Sequence, residues 1–146
     1  MELILNGREV HEPFSLYLPD KTFRDLLEFA NEDIYCELLD GELVIKSPAS
    51  YMHESVFGFL YTLLKLYVRK HDLGIILGSR FTMKLTDDWE PEPDIMFLTP
   101  EDQTRLQETY LEGPASVVFE ILSNSNRSED VRKKVAQYLL HGVQEV

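Results

Sequence analysis

The sequence has little of what marks secreted or membrane-spanning proteins. It contains a single cysteine, Cys36, so a disulfide within the chain is impossible. Its longest mostly apolar stretch, Val56–Val68, is interrupted by Lys65 and is shorter than the ~20 residues that a membrane helix needs. The N-terminus has no basic region followed by an apolar run, so no secretion signal is visible. These absences predict a cytoplasmic protein without a membrane partner, in which Cys36 is a small buried side chain.

Positive charge is also scarce. The sequence has 26 Asp and Glu residues against 14 Lys and Arg residues, which gives a net charge of −12 at pH 7. Most of the negative excess lies in the first 60 residues. Proteins that hold nucleic acid commonly present a basic surface, because neutralising phosphates supplies much of their affinity. Composition alone therefore argues against nucleic-acid binding and leaves room only for a local positive face further along the chain.

Several specific catalytic motifs are missing as well. The sequence has no Gly-rich phosphate loop, no paired-cysteine zinc pattern, no His-Glu-x-x-His and no Gly-x-Ser-x-Gly. What remains is a chain of 146 residues, of which 44% are hydrophobic. That is enough to form one domain over residues 1–146 with its own core.

The order of predicted elements is helix, hairpin, helix, several strands and helix, which is typical of a mixed α/β or α+β layered domain. A short helix at Thr22–Leu27 is capped by Thr22 or Asp20, and Asp40-Gly41 predicts a type I′ hairpin turn because both positions need a positive φ. The other segments are a helix from about His53 to His71 ended by Gly74, strands at Ile75–Leu77, Arg80–Leu85, Pro93–Leu98 and Ser116–Leu122, a loop at Thr86–Glu92, a short polar helix or loop at Pro100–Tyr110, and a helix from Ser128 to about His141. The long helix is expected to bury one wide apolar stripe, which consists of Val56, Phe57, Leu60, Leu63, Leu64, Tyr67 and Val68.

Two carboxylates interrupt segments that are otherwise apolar. Glu120 follows Val117-Val118-Phe119, and Asp94 precedes Ile95–Leu98. An unpaired buried charge costs several kcal/mol, so each acid must be paired, protonated or bound to a metal. The plainer alternative is that each lies at a strand end, hydrated or paired with an arginine. Because two such acids on neighbouring strands would repel each other unless a cation lay between them, we favour a Mg²⁺ site.

Lys134 is the basic residue of the last helix that points toward the sheet. The apolar face of that helix is formed by Val131, Val135, Tyr138 and Leu139, and the 100° step per residue places Lys134 at its edge. Arg132 and Lys133 point away. The alternative is a lysine that extends to solvent and pairs with Asp130.

Two further polar residues are candidates. Glu37 is an acid among apolar neighbours, on the same strand face as Tyr35 and Leu39. The alternative is that Glu37 lies on the exposed face of the hairpin and has no role in a site. His53, at the start of the long helix, is either a ligand or substrate contact or an ordinary surface histidine.

Taken together, these residues resemble the PD-(D/E)XK nuclease superfamily and, more closely, the Uma-type family of restriction-endonuclease-like proteins, a former family of unknown function. The resemblance runs from about Tyr35 to Val146. It rests on Glu92-Pro93-Asp94, on Phe119-Glu120-Ile121-Leu122, and on the four-residue steps from Asp130 through Lys134 to Tyr138.

The resemblance implies a restriction-endonuclease-like core, a central mixed sheet flanked by helices, with an N-terminal hairpin. It implies that Asp94 and Glu120, with the backbone carbonyl of Ile121, bind the metal. The superfamily lysine normally lies two residues after the glutamate, where this chain has Leu122, and Lys134 matches the migrated lysine of the Uma-type family. Glu37 matches an additional acid, and His53 and Tyr138 are expected to be accessory residues.

The expected activity is Mg²⁺-dependent hydrolysis of DNA, with Mn²⁺ as a substitute, by a homodimer. One alternative is an inactive binding or assembly module that keeps the nuclease fold, and another is a hydrolase of RNA or small phosphodiesters. The family usually continues with another strand beyond the position of Val146, so we expect this chain to lack it and to leave a sheet edge unpaired.

Overall fold

The computed structural model describes residues 3–5, 7–11, 14–29, 34–122 and 128–146. In chain order its elements are strands β1 (Leu3–Leu5), β2 (Arg8–Val10) and β3 (Ser15–Leu18), helix α1 (Phe23–Phe29), strands β4 (Cys36–Leu39) and β5 (Glu42–Lys46), helix α2 (Tyr51–Lys70), strands β6 (Ile75–Gly78), β7 (Thr82–Lys84), β8 (Trp89–Glu90) and β9 (Ile95–Leu98), a 3₁₀ turn (Asp102–Arg105), strands β10 (Tyr110–Glu112) and β11 (Val117–Phe119), and helix α3 (Ser128–Leu140). The architecture is mixed α+β, as the sequence predicts.

Two antiparallel sheets position the residues of interest. The hairpin sheet has the strand order β3-β5-β4-β8, and the central sheet has the order β11-β9-β6. Strands β1 and β2 form an antiparallel pair, while β7 and β10 pair in parallel. In the central sheet Ile76 and Ile95 pack with α2, whereas Met96 and Val118 pack with Tyr138 of α3. The central sheet therefore lies between the two long helices.

The predicted hairpin and its neighbouring helix are confirmed. Asp40 and Gly41 have φ values of 55° and 71°, as a type I′ turn requires, and Leu39 pairs with Glu42 across it. Thr22, not Asp20, caps α1. Its backbone N–H donates to Asp25 Oδ2 at 2.8 Å, and the Asp25 N–H donates back to Thr22 Oγ1 at 3.4 Å.

Helix α2 begins earlier and ends differently than the sequence suggests. The Ser50 side chain accepts a hydrogen bond from the His53 N–H at 3.2 Å, so the helix starts at Tyr51. Past its end, Asp72 has the left-handed φ of 52°. Gly74 is needed for close packing against β9 and not to end the helix, since a Cβ on it would lie 2.0 Å from the carbonyl oxygen of Leu98.

The buried stripe predicted on α2 is confirmed in part, because it is narrower than the sequence suggests. The inward face consists of Phe57, Leu60, Tyr61, Leu64 and Val68, which pack around Ile76 and Ile95. Val56, Leu63 and Tyr67 point outward, with exposed fractions of 37%, 53% and 57%. The helix therefore has two apolar faces, and its amino-acid sequence alone does not say which one meets the sheet.

The strands that carry the acids are shorter than predicted. Strand β11 ends at Phe119 and β9 begins at Ile95, so Asp94 and Glu120 lie just outside the ladder. The segment 86–92, predicted as a loop, contains the two-residue strand β8 because Leu39 pairs with Trp89. In α3, Leu139 is exposed although the sequence predicts it to be buried.

The edge of β11 has a partner from the end of the chain. The Val118 N–H donates to the Glu145 carbonyl at 3.0 Å, and the Gln144 N–H donates to the Ser116 carbonyl at 3.0 Å. These bonds form a parallel bridge between Val117 and Glu145. The expectation of an unpaired sheet edge is therefore wrong for the described part of β11, and the absence of a longer strand stays a prediction.

Cys36 is 4% exposed, in agreement with its predicted burial. Over the described ranges, no helix is both long enough and apolar enough to span a membrane.

Candidate active site

Asp94 and Glu120 lie at the same end of two neighbouring strands of the central sheet, because each adjoins one member of a paired couple of residues. Strand β9 begins at Ile95 and β11 ends at Phe119, and these two residues are partners in the antiparallel ladder. The backbone N–H of Ile121 donates a hydrogen bond to Asp94 Oδ2 at 2.6 Å, which ties the end of one strand to the start of the other. The structure therefore brings together the two acids that the sequence singles out.

The ammonium group of Lys134 lies between the carboxylates of Glu37 and Glu120. Its Nζ is 2.8 Å from Glu120 Oε1 and 2.8 Å from Glu37 Oε2, and the residue is only 8% exposed. The alternative of a lysine that extends to solvent and pairs with Asp130 is therefore wrong. The neighbouring Lys133 points away, as the helix geometry predicts, with 63% of its side chain exposed.

Glu37 reaches this point from β4 of the hairpin sheet. It is 2% exposed, so the alternative of a solvent-facing position on the hairpin is wrong. The backbone N–H of Glu92 donates to Glu37 Oε2 at 3.1 Å, and Lys46 forms an ion pair with Oε1. One N–H and two lysines therefore compensate this buried carboxylate.

Lys46 is a site residue that the sequence reasoning missed. The Asp-Gly turn sets the hairpin register, in which Glu37 lies opposite Val44. Because side chains alternate along a strand, Lys46 falls on the same face as Val44, two residues further along. The register alone would have placed this lysine beside the acid. Its side chain is 35% exposed and reaches Glu37 from the solvent side.

The charges of this cluster offset the cost of burial. Burial raises the pKa of Glu37, but Lys134 and Lys46 outweigh it and hold that pKa at about 2. Burial lowers the pKa of Lys134, yet Glu120 and Glu37 raise it well above its usual value. For Glu120 burial outweighs the attraction of Lys134, so its pKa is raised. At neutral pH the lysine and Glu37 are charged, and Glu120 is the more readily protonated of the two glutamates.

The two predicted accessory residues each contact one acid. Tyr138 is fully buried, and its hydroxyl donates to Glu120 Oε1 at 2.5 Å. Burial raises the pKa of this hydroxyl well above its usual value, so it stays protonated and keeps donating. His53, in the first turn of α2, places Nε2 3.2 Å from Asp94 Oδ1, and its side chain is 16% exposed. It is therefore not an ordinary surface histidine.

A second group that the sequence reasoning missed lies behind Glu37. The half-buried side chain of Glu92 accepts hydrogen bonds from the Tyr35 hydroxyl and the Arg80 backbone N–H, and the loss of solvent raises its pKa. Arg80 has a left-handed φ of 74°, and its guanidinium lies 5.2 Å from the ring centroid of Tyr35. Glu92 thus orders the segment that supplies the N–H for Glu37. An acid between two prolines was visible in the sequence, but its partners are distant along the chain.

A cavity of 120 Å³ opens beside the cluster, between the hairpin sheet and α3. Glu37, Glu120 and Lys134 line its floor, and Trp89 and Val131 are among the apolar residues of its walls. The cluster is therefore buried but accessible from one side.

Asp94 and Glu120 carry oxygen donors, which are the ligands that hard cations prefer. Across the described ranges, no group of three or more His, Cys, Asp or Glu side chains is arranged to hold a metal ion. Asp94 and Glu120 nevertheless supply two carboxylates at one sheet edge, and Mg²⁺ is commonly held by one or two carboxylates while it keeps several waters. The contacts of Glu120 with Lys134 and Tyr138 both use Oε1. The two acids therefore supply oxygen donors of the kind that Mg²⁺ uses when it keeps most of its waters.

Comparisons with known proteins give the family and the fold of this chain. The family described as "Uma2: Putative restriction endonuclease" matches residues 21–146. A crystal structure described as a putative nuclease of the DUF820 group, from Anabaena variabilis ATCC 29413, matches with a TM-score of 0.71 at 18% sequence identity. The match covers 84% of this chain and 70% of that protein, and it establishes a shared fold. The search of curated proteins found no match.

Proposed function

The chain belongs to the Uma2 family, described as putative restriction endonucleases, and on that premise we propose that it is a metal-dependent endonuclease that hydrolyses phosphodiester bonds of DNA. The observation that carries this proposal is the position of Lys134 Nζ, 2.8 Å from both Glu37 and Glu120, while the residue after Glu120, Ile121, donates its N–H to Asp94. A buried cation that contacts Glu120, which lies at a strand end beside Asp94, is an arrangement suited to a negatively charged phosphate that gains charge during reaction.

Asp94 and Glu120 would hold the metal, with the backbone carbonyl of Ile121 as a third oxygen ligand. When bound, Mg²⁺ supplies charge that offsets the developing charge on the phosphate and lowers the pKa of a bound water. Mn²⁺, which prefers similar oxygen ligands, would substitute for it.

The protein's own residues have separate roles in this proposal. Lys134 orients the attacking water and stabilises the transition-state charge, and Glu37 with Lys46 keeps that lysine in place and charged. Tyr138 fixes the Glu120 carboxylate by donating to Oε1, and His53 does the same for Asp94. Because these partners are already in position, little reorganisation is needed when the substrate arrives.

A nuclease-fold module that binds without cleaving is the second candidate. Two observations favour it: the described residues include no group of three metal-binding side chains, and the net charge of −12 weakens general attraction to DNA. Titration calorimetry with Mg²⁺ and Mn²⁺ separates the two candidates. A nuclease binds the metal and loses binding in Asp94→Asn, whereas a binding module shows no metal binding in either protein.

The substrate class is tested by cleavage of matched substrates. Supercoiled plasmid, single-stranded DNA, RNA of the same sequence and bis(p-nitrophenyl) phosphate are incubated with the protein and Mg²⁺ or Mn²⁺. The proposal predicts cleavage of DNA that stops when the metal is chelated. Cleavage of RNA or of the small diester alone would overturn the DNA assignment, and no cleavage by a folded, metal-binding protein would overturn the enzyme assignment.

A further inference from the structure

An exposed apolar stripe runs along the outward face of α2. It consists of Met52, Val56, Phe59, Leu63, Leu66 and Tyr67, and Met52, Phe59 and Leu66 are each more than 60% exposed. From Met52 to Leu66 the residues recur at steps of four and three, which keeps them on one side of the helix. The stripe is separate from the inward face, which packs against the central sheet.

The stripe is larger than isolated surface residues would explain. Its six side chains expose on the order of 700 Å², whereas the largest apolar patch of a typical monomer is roughly 300–600 Å². Each partner of a standard protein interface buries about 800 Å², so the stripe with its rim provides the area that a stable dimer needs. Helix α2, with 20 residues, is about 30 Å long and gives this area an uninterrupted support.

We propose that this stripe is the interface between two copies of the chain, which pack α2 against α2 in antiparallel orientation around a twofold axis. The alternating steps of four and three read the same in both directions along the helix. An antiparallel copy therefore places Phe59 opposite Leu63 and Val56 opposite Leu66, so that each patch is complementary to itself.

The charges of α2 favour the antiparallel orientation. Lys65, Arg69 and Lys70 lie in the C-terminal third of the helix, and the only acid of the helix, Glu54, lies in its first turn. A parallel pair would bring the two basic ends together, where like charges repel. The antiparallel pair separates the two copies of Lys65 by about 12 Å along the axis and those of Arg69 and Lys70 by about 24 Å or more, which is beyond the ~8 Å screening length at physiological salt.

Sedimentation equilibrium of the purified chain tests the interface. The wild type is expected at twice its 17.0 kDa mass, and Leu63→Lys or Phe59→Glu is expected at the single mass, with a dissociation constant raised at least about 100-fold. Leu140→Lys, on a residue of α3 that is 74% exposed, is the matched control and stays dimeric. Circular dichroism confirms that each variant is folded. A wild type that is monomeric over the whole concentration range, or a dimer that persists in both stripe variants, overturns the proposal.

Cross-linking tests the orientation in the same preparation. Val56→Cys and Leu66→Cys are mixed and oxidised, while the native Cys36 is buried and does not compete. The antiparallel pair predicts a disulfide between the two different variants and none between two copies of Val56→Cys. A disulfide between identical variants would show a parallel pair and overturn the orientation. This result does not depend on cleavage, so it stands or falls separately from the nuclease proposal.

Discussion

Replacing Lys134 by methionine tests the buried charge cluster. Methionine keeps the length and apolar volume of the lysine stem but removes the Nζ that lies 2.8 Å from both Glu37 and Glu120. Glu37 retains Lys46 and the Glu92 N–H, and Glu120 retains the Tyr138 hydroxyl. The variant therefore leaves the buried carboxylate of Glu37 and the half-buried carboxylate of Glu120 without the cation that compensated both.

The expected loss of stability follows from the carboxylate charge that is left without its cation. Removing one partner of a buried ion pair costs about 3–5 kcal/mol, because the remaining charge stays desolvated. In a chain of 146 residues this corresponds to a Tm lower by roughly 10–15 °C. Lys133→Met, on the exposed neighbour, is the matched control and is expected to change stability by less than about 0.5 kcal/mol.

A double-mutant cycle with Glu120→Gln makes the test specific. In the wild-type background Glu120→Gln removes a partner of Lys134 and destabilises the protein, whereas in Lys134→Met it removes an uncompensated charge and stabilises it. Urea unfolding at pH 7 measures all four proteins. The reasoning is refuted if Lys134→Met costs less than about 1 kcal/mol, or if Glu120→Gln has the same effect in both backgrounds.

Two other predictions concern residues outside the cluster. Glu90 is 1% exposed, and burial raises its pKa from 4.5 to about 7, so the unfolded chain ionises at lower pH than the folded one and stability falls as pH rises from about 4.5 to 7. Glu90→Gln removes this dependence. In urea unfolding the variant is expected to be more stable than the wild type by up to about 3 kcal/mol at pH 8, and no more stable at pH 4. The same pH profile of stability in both proteins would contradict this prediction. Gly74→Ala is expected to lower stability by about 2–4 kcal/mol, because the residue has a φ of 145° and its Cβ would collide with the Leu98 carbonyl. Gly58→Ala is the control, since its Cβ would meet nothing within 4 Å. An equal change of Tm in the two variants would refute the collision.

Features that depend on short-range rules could be predicted from the sequence. The Asp40-Gly41 turn follows from backbone sterics alone, and the inward direction of Lys134 follows from the 100° step of a helix. Asp94 and Glu120 stand out because acids are rare next to apolar strands. In each case the signal lies within a few residues, so no tertiary information is needed.

Features that depend on packing could not be predicted in the same way. Helix α2 has apolar residues on two faces, and only the position of the central sheet decides that Phe57 is inward and Phe59 outward. Glu92 meets Glu37 through a contact between segments that are distant in sequence. Such a contact is fixed by the order of the sheets, which the local pattern of residues does not encode.

The most direct test of the nuclease proposal is nicking of supercoiled plasmid with Mg²⁺ or Mn²⁺, comparing the wild type with Asp94→Asn and Asp87→Asn. Asp87 is exposed and lies outside the buried cluster, with 84% of its side chain in solvent, so its variant controls for the loss of one negative charge. Metal-dependent nicking by the wild type and Asp87→Asn, lost in a folded Asp94→Asn, is the predicted result. Undiminished nicking by Asp94→Asn, or no nicking by the wild type with either metal, would contradict it.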